Sequence, residues 1–121
     1  MVARPQRITF HRVKGFDLQG TSRALNGLPA KMVTRPGKWG NPFEIKAVAE
    51  RFGLDAVAAQ ARAVALHGQW LAGSLDPALD PGYSPPPLPE IVAELGGHNL
   101  SCWCKPGAPC HADLLIELAN P

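Results

Sequence analysis

Residues 88–120 read as a helix, a strand and a second helix in direct succession, and this run limits the fold more than any other part of the chain. Leu88, Ile91, Val92 and Leu95 recur at the spacing of one helical face. Pro89 suits the first turn of that helix, and Gly96-Gly97 stops it. Asn99-Leu100-Ser101-Cys102-Trp103 reads as a strand. Cys110 to Asn120 reads as a helix with Leu114, Leu115 and Leu118 as its apolar face. A strand between two helices needs further strands to pair with and a helical layer to cover them. The expected architecture is a small α/β fold: a single-layer mixed sheet flanked by helices.

The upstream residues supply the missing strands. Ile8 to Val13 alternates apolar and polar side chains, the signal of a half-buried strand, and Lys14-Gly15 breaks it. Residues 16–29 fit either a short helix or a loop, ending in the turn Asn26-Gly27-Leu28-Pro29. Ala30 to Arg35 reads as a second strand, followed by the loop Pro36 to Gly40. Asn41-Pro42-Phe43-Glu44 has the chemistry of a helix start, with Asn41 as cap, and the stripe Ile45, Val48, Ala49, Phe52 runs to Gly53. Asp55 caps an alanine-rich helix reaching about Ala72. Its expected buried face is Val57, Ala61, Val64 and Leu71, with Gly68 allowing close approach. Residues 73–89 hold Asp76-Pro77, Asp80-Pro81-Gly82 and Ser84-Pro85-Pro86-Pro87, so a proline-rich loop is expected there. With 121 residues, 45% of them apolar, the chain is read as one domain spanning 1–121.

Charge is divided unevenly. Residues 1–51 carry ten Lys/Arg against Asp17, Glu44 and Glu50, a net of +7, whereas residues 52–121 carry a net of −5. A basic half predicts an anionic partner: a phosphate-bearing, nucleotide-like small molecule, or nucleic acid.

 No apolar run approaches the ~20 residues of a membrane span, so no membrane partner is expected. Met1-Val2-Ala3-Arg4-Pro5 lacks the apolar stretch of a signal peptide. The three cysteines are odd in number and locally spaced, which does not match a secreted disulfide framework and predicts a reduced, cytoplasmic setting.

All three cysteines fall in Cys102-Trp103-Cys104-Lys105-Pro106-Gly107-Ala108-Pro109-Cys110-His111, at a strand-to-helix junction. Two chemistries fit. Cys102, Cys104, Cys110 and His111 supply the ligand count of a Cys3His zinc site. Their spacing departs from the usual cysteine pairs two to four residues apart, and the adjacent Cys110 and His111 could share one ion only in an irregular turn. The other chemistry needs no cofactor. A thiol at a helix N-terminus beside a histidine and Lys105 is acidified, so Cys110 could be a nucleophile, with His111 as its acid or base and Asp113 orienting a bound group. Cys102 and Cys104 would then line the ligand site, and Trp103 would cover the sheet or wall a pocket. His11, His67 and His98 have no partner motif and receive no role.

The segment Thr34 to Phe43 leads from a strand into a capped helix and carries Arg35, Lys38 and Trp39. Backbone N–H groups and the dipole of a helix start attract anions. Arg35 and Lys38 would hold a phosphate, Trp39 or Trp103 would stack on a ring, and Asn41 would shape the turn. The segment matches neither the phosphate-loop consensus nor the dinucleotide fingerprint.

Gly37-Lys38-Trp39-Gly40-Asn41-Pro42-Phe43 together with Cys102-Trp103-Cys104 and Cys110-His111-Ala112-Asp113 resembles the bacterial and phage family filed as domain of unknown function 4326. The resemblance covers roughly residues 8–119. The family usually has glycine where this chain has Ala112, and loop 73–89 looks longer and richer in proline than is typical. The resemblance implies a compact α/β domain with one site built from the two motifs, and it implies no reaction. The Cys-His pair at a helix start is also similar to that of another α/β family, with a Cys-His-Arg ending, among Rossmann-like nucleotide-handling folds. The expected function is therefore binding of a nucleotide, nucleoside or other phosphate-bearing small molecule, with hydrolase or transferase chemistry upon it. The rival expectation is a non-enzymatic nucleic-acid-binding or accessory module with a structural Cys3His zinc site. Arg35 and Cys104 would meet at one sheet edge if their strands run parallel.

Overall fold

A computed structural model describes residues 4–35, 37–105 and 107–121 of the chain. Pro36 and Pro106, which fall in the two motif loops, and residues 1–3 lie outside the described residues. The elements, in order, are β1 (Arg7–Thr9), α1 (Leu18–Asn26), β2 (Ala30–Met32), α2 (Ile45–Phe52), α3 (Ala56–Ala72), a 3-10 turn (Pro77–Leu79), α4 (Leu88–Leu95), β3 (Asn99–Cys102) and α5 (His111–Ala119). The α/β class is as the sequence predicts. Both strand pairings are parallel, however, in the order β1-β3-β2, so the sheet is not mixed.

The central strand, β3, explains why its neighbours are short. It has four residues, all buried. Thr9 pairs with Cys102, and the Phe10 amide donates the last bond to the Cys102 carbonyl at 2.8 Å. Beyond that point β1 pairs with no strand among the described residues, so the expected strand to Val13 stops at Thr9 and Val13 is 64% exposed. On the other side, Val33 N donates to Ser101 O at 3.0 Å, and the chain then leaves the sheet before Arg35.

Alternation along β3 divides the two faces. Leu100 and Cys102 join a core with Ile91 and Leu95 of α4 and Leu115 of α5. Asn99 faces α1, where its amide meets Ser22 and Asn26. Segment 16–29, ambiguous in sequence, contains a helix because Asp17 caps it through Gly20 N and Gly27 closes it in the left-handed region at φ 80°. Gln19 adds a side-chain clasp to the sheet edge, bonding both the N–H and the C=O of Ala30.

Two helix expectations need correction. Helix α2 begins at Ile45 with Glu44 at the cap, not at Pro42 after Asn41. Asn41 is instead a buried pin: its Oδ1 accepts from Phe43 N at 2.9 Å, and its Nδ2 donates to Ala63 O of α3 at 3.0 Å. Helix α3 has the expected Asp55 cap and the expected length, but it buries Ala59, Ala63, Leu66, His67 and Trp70, while Val57 is 77% exposed. A helix so rich in alanine has little periodic signal, and small side chains let α2 press onto the Ala59–Ala63 side. Gly68 does give close approach, since a Cβ there would lie 3.2 Å from Leu114 Cδ2. The 73–89 loop contains the 3-10 turn and is tied to α3 by Trp70 Nε1 donating to Tyr83 O. Among the described residues, no helix is long and apolar enough to cross a membrane.

Candidate functional site at the carboxyl edge of the sheet

Because β2 and β3 are parallel neighbours, the segments that leave them emerge at the same edge of the sheet. They enclose a cleft of about 570 Å³. Thr34, Arg35, Asn41, Phe43 and Ile45 form one wall. Cys102 to Lys105 and Ala108 to His111 contribute the other, and Gln60, Ala63 and Val64 of α3 form the floor. The two sequence motifs thus share one cavity.

The loop between Cys104 and Cys110 is held by side chains that sequence reasoning did not single out. Arg7 Nη1 donates to Ala108 O at 2.7 Å and to Asp113 Oδ2 at 2.9 Å, and Nη2 donates to Lys105 O at 3.1 Å. Gln60 Nε2 donates to Pro109 O at 2.7 Å, and Thr9 Oγ1 to Cys104 O at 2.8 Å. The one signal for Arg7 was a basic residue opening a strand. Nothing local marks Gln60, whose partner lies 49 residues away.

Not every expected site residue reaches the cleft. Arg35 does, with its guanidinium 3.8 Å from Glu44. Asn41, Trp103, the three cysteines and His111 do as well. Lys38 turns away to pair with Glu90 and Glu94 of α4. Trp39 is buried at 6% exposure in the main core, beside the lysine. Asp113 is exposed and occupied by Arg7, outside the cleft lining. Trp103 sits past the end of β3, edge-on to Phe10 and beneath the Arg12 guanidinium at 4.3 Å.

Gly40 sets the shape of the first wall. A Cβ at this position would stand 2.9 Å from Arg35 N and Cα and 2.7 Å from Arg35 Cγ. Gly40→Ala is therefore expected to push the 35–40 turn apart and cost about 1–3 kcal/mol in urea unfolding. A loss below about 0.5 kcal/mol would mean that the turn yields freely.

At the inner end of the cleft, the Sγ atoms of Cys102, Cys104 and Cys110 all lie within 4.8 Å of one another. All three are free thiols. Such a group could hold a metal ion. His111 stands outside this set: its Nε2 donates to Val33 O at 2.6 Å, and its Nδ1 is 3.9 Å from Cys110 Sγ. A carbonyl only accepts, so Nε2 carries a proton in this bond.

The three thiols cannot ionise alike. The Cys102 thiol donating to its sulfur draws Cys110 well below the ordinary thiol range, helped by His111 and Cys104 and opposed by burial. Cys102 is raised because its own proton serves that bond, with burial adding to the effect. Cys104 is raised chiefly by burial. Cys110 is therefore the sulfur that gives up its proton most readily.

Residues 19–121 match the model of the family described as Domain of unknown function (DUF4326), and the chain belongs to that family. The match begins inside α1 and includes both cleft motifs. Neither a curated protein nor a solved structure matches the chain.

Proposed function

We propose that this family member binds a nucleotide, nucleoside or similar phosphate-bearing small molecule in the carboxyl-edge cleft. The observation that carries the reading is the convergence of the Arg35–Phe43 and Cys102–His111 segments on one cavity of about 570 Å³, a volume suited to a small organic ligand. Arg35 is a cation of its lining, with a side chain 46% exposed and a partner in Glu44 at 3.8 Å. A phosphate would displace that carboxylate in favour of a charge-assisted pair. Trp103, Phe43, Ile45 and Val64 offer the apolar and aromatic surface that a base or sugar ring requires. Hydrolysis or group transfer on the bound molecule is the chemistry that suits Cys110 and His111 at the inner end. Asp113 would act as a positioning residue through Arg7.

Thermal shift with AMP, ADP, ribose 5-phosphate and adenosine tests the reading. At a tenfold excess over Kd, stabilisation is about 1.4 kcal/mol, or roughly 5 °C for a domain of this size. Arg35→Ala is expected to weaken the phosphate-bearing ligands about tenfold to a hundredfold and to leave adenosine unchanged. Absence of any shift at millimolar concentrations would overturn the proposal.

The thiol cluster favours one other reading, a nucleic-acid-binding module in which a zinc ion organises the Cys102–Cys110 turn. Its mark would be DNA affinity that falls steeply with salt while mononucleotides have no effect.

A further inference from the structure

We infer that Cys102, Cys104 and Cys110 bind one thiophilic divalent ion of the zinc class through three sulfurs, with the fourth coordination position open to the cleft. The inference does not depend on the identity of any cleft ligand, and metal binding can be measured without one.

Three arguments support it. The first is distance. Sulfurs about 2.3 Å from a tetrahedral ion stand roughly 3.8 Å apart. The three Sγ atoms already lie within 4.8 Å of one another, so small side-chain rotations close the site.

The second is independent anchoring. Cys102 is the last residue of the buried central strand. Cys104 is fixed through its carbonyl by Thr9, and Cys110 is the N-cap of the nine-residue helix α5. Arg7 and Gln60 hold the connecting loop from two other elements. Such a scaffold presents the sulfurs together before any ion arrives, which lowers the ordering cost of binding.

The third is charge. Three thiolates and a divalent cation leave one net negative charge. The N-terminal end of α5, which Cys110 caps, and the Arg7 guanidinium, which holds the loop between Cys104 and Cys110, bring positive charge close to the sulfurs to offset it. Thiolate ligands select zinc over the harder magnesium and calcium ions.

The fourth position follows from His111 and from the cavity. The bond from Nε2 to Val33 O holds the ring in place, and although Nδ1 stands 3.9 Å from Cys110 Sγ, neither ring nitrogen falls within the mutual 4.8 Å reach of the three sulfurs. All three cysteines line the cleft, so the remaining corner of a tetrahedron faces it. Structural zinc sites close with four protein ligands, whereas an open corner admits water or substrate. An ion there would take the place of the free Cys110 thiol as the reactive centre and leave the ligand walls unchanged.

The test uses the full chain. Metal-free protein is titrated with Zn2+ against a chromophoric chelator, and with Co2+ as a spectroscopic probe. One equivalent per chain is expected, with intense thiolate-to-cobalt charge-transfer absorption and tetrahedral visible bands. Cys104→Ser, at the half-buried ligand, is expected to weaken Zn2+ at least a hundredfold while far-UV circular dichroism stays unchanged. His111→Ala should alter the affinity less than threefold and leave the cobalt bands in place, and added imidazole should shift them. Failure of wild-type protein to take up Zn2+, or cobalt spectra without thiolate absorption, overturns the site. Loss of the ion in His111→Ala, or bands that imidazole does not move, overturns the open position. A nucleotide response that persists in EDTA alongside failed metal uptake would leave the ligand proposal standing and remove only the ion.

Discussion

Replacing Asn99 with alanine is expected to lower the unfolding free energy by about 3–5 kcal/mol, since each buried polar group left without a partner costs about 1–3 kcal/mol. Asn99 is fully buried in the central strand. Its Oδ1 accepts from Gln6 N and from Asn26 Nδ2, each at 2.9 Å. Its Nδ2 donates to Ser22 Oγ at 2.7 Å and Asn26 Oδ1 at 2.8 Å. One side chain therefore joins the residue before β1, helix α1 and β3. Alanine would strand several of these groups at once and leave a cavity, while water could reach part of the Asn26 amide and limit the loss. Asn99→Asp keeps the acceptor but forfeits the donor and buries a charge, so it should fare no better. Urea unfolding decides the matter: the midpoint should fall with an unchanged slope, and a change below about 1 kcal/mol would show that the network is dispensable.

Acid stability should be governed largely by His67. The ring is 2% exposed, and its Nδ1 has no hydrogen-bond partner among the described residues. Burial, and then the nearby His111, lower its pKa to about 3. The unfolded chain takes up a proton near pH 6.5, whereas the folded chain refuses it until about pH 3. Across this window the unfolded state binds more protons, so stability is complete above pH 6.5 and declines as pH falls, at about 1.4 kcal/mol per pH unit. His67→Phe retains a ring against Trp70 and removes both the titration and the unpaired nitrogen. Between pH 6.5 and 4.5, the variant is expected to lose about 2–3 kcal/mol less than wild type, measured in EDTA so that metal release does not contribute. Parallel pH profiles for the two proteins would refute a buried neutral His67.

Local chemistry made the helix ends readable. Asp55, Gly53, Pro89 and Gly96 act within a few residues of the termini that they define, and all four mark observed ends. Strand ends were less readable, because β1 and β2 extend only as far as β3 can pair with them. The face of α3 was misread because alanine carries little hydrophobic signal and the choice belongs to its neighbours. In the site, Arg35, Asn41, Trp103, His111 and the cysteines could be found from motif and composition. Lys38 and Trp39 had the right chemistry in the right loop, yet the pairing with α4 and the core drew them away from the cleft. Arg7, Gln60 and Asn99 escaped notice because each works through partners that are remote in the chain.

The sequence by itself determined the α/β class, most helix boundaries and the two segments that carry polar chemistry. These are local properties of capping, periodicity and residue type. Tertiary structure alone decided that the segments meet. Parallel pairing of β2 with β3 brings both exits to one sheet edge, and the capped start of α5 returns Cys110 to the two cysteines that end the central strand. That convergence depends on strand order and direction, which no short stretch of residues encodes.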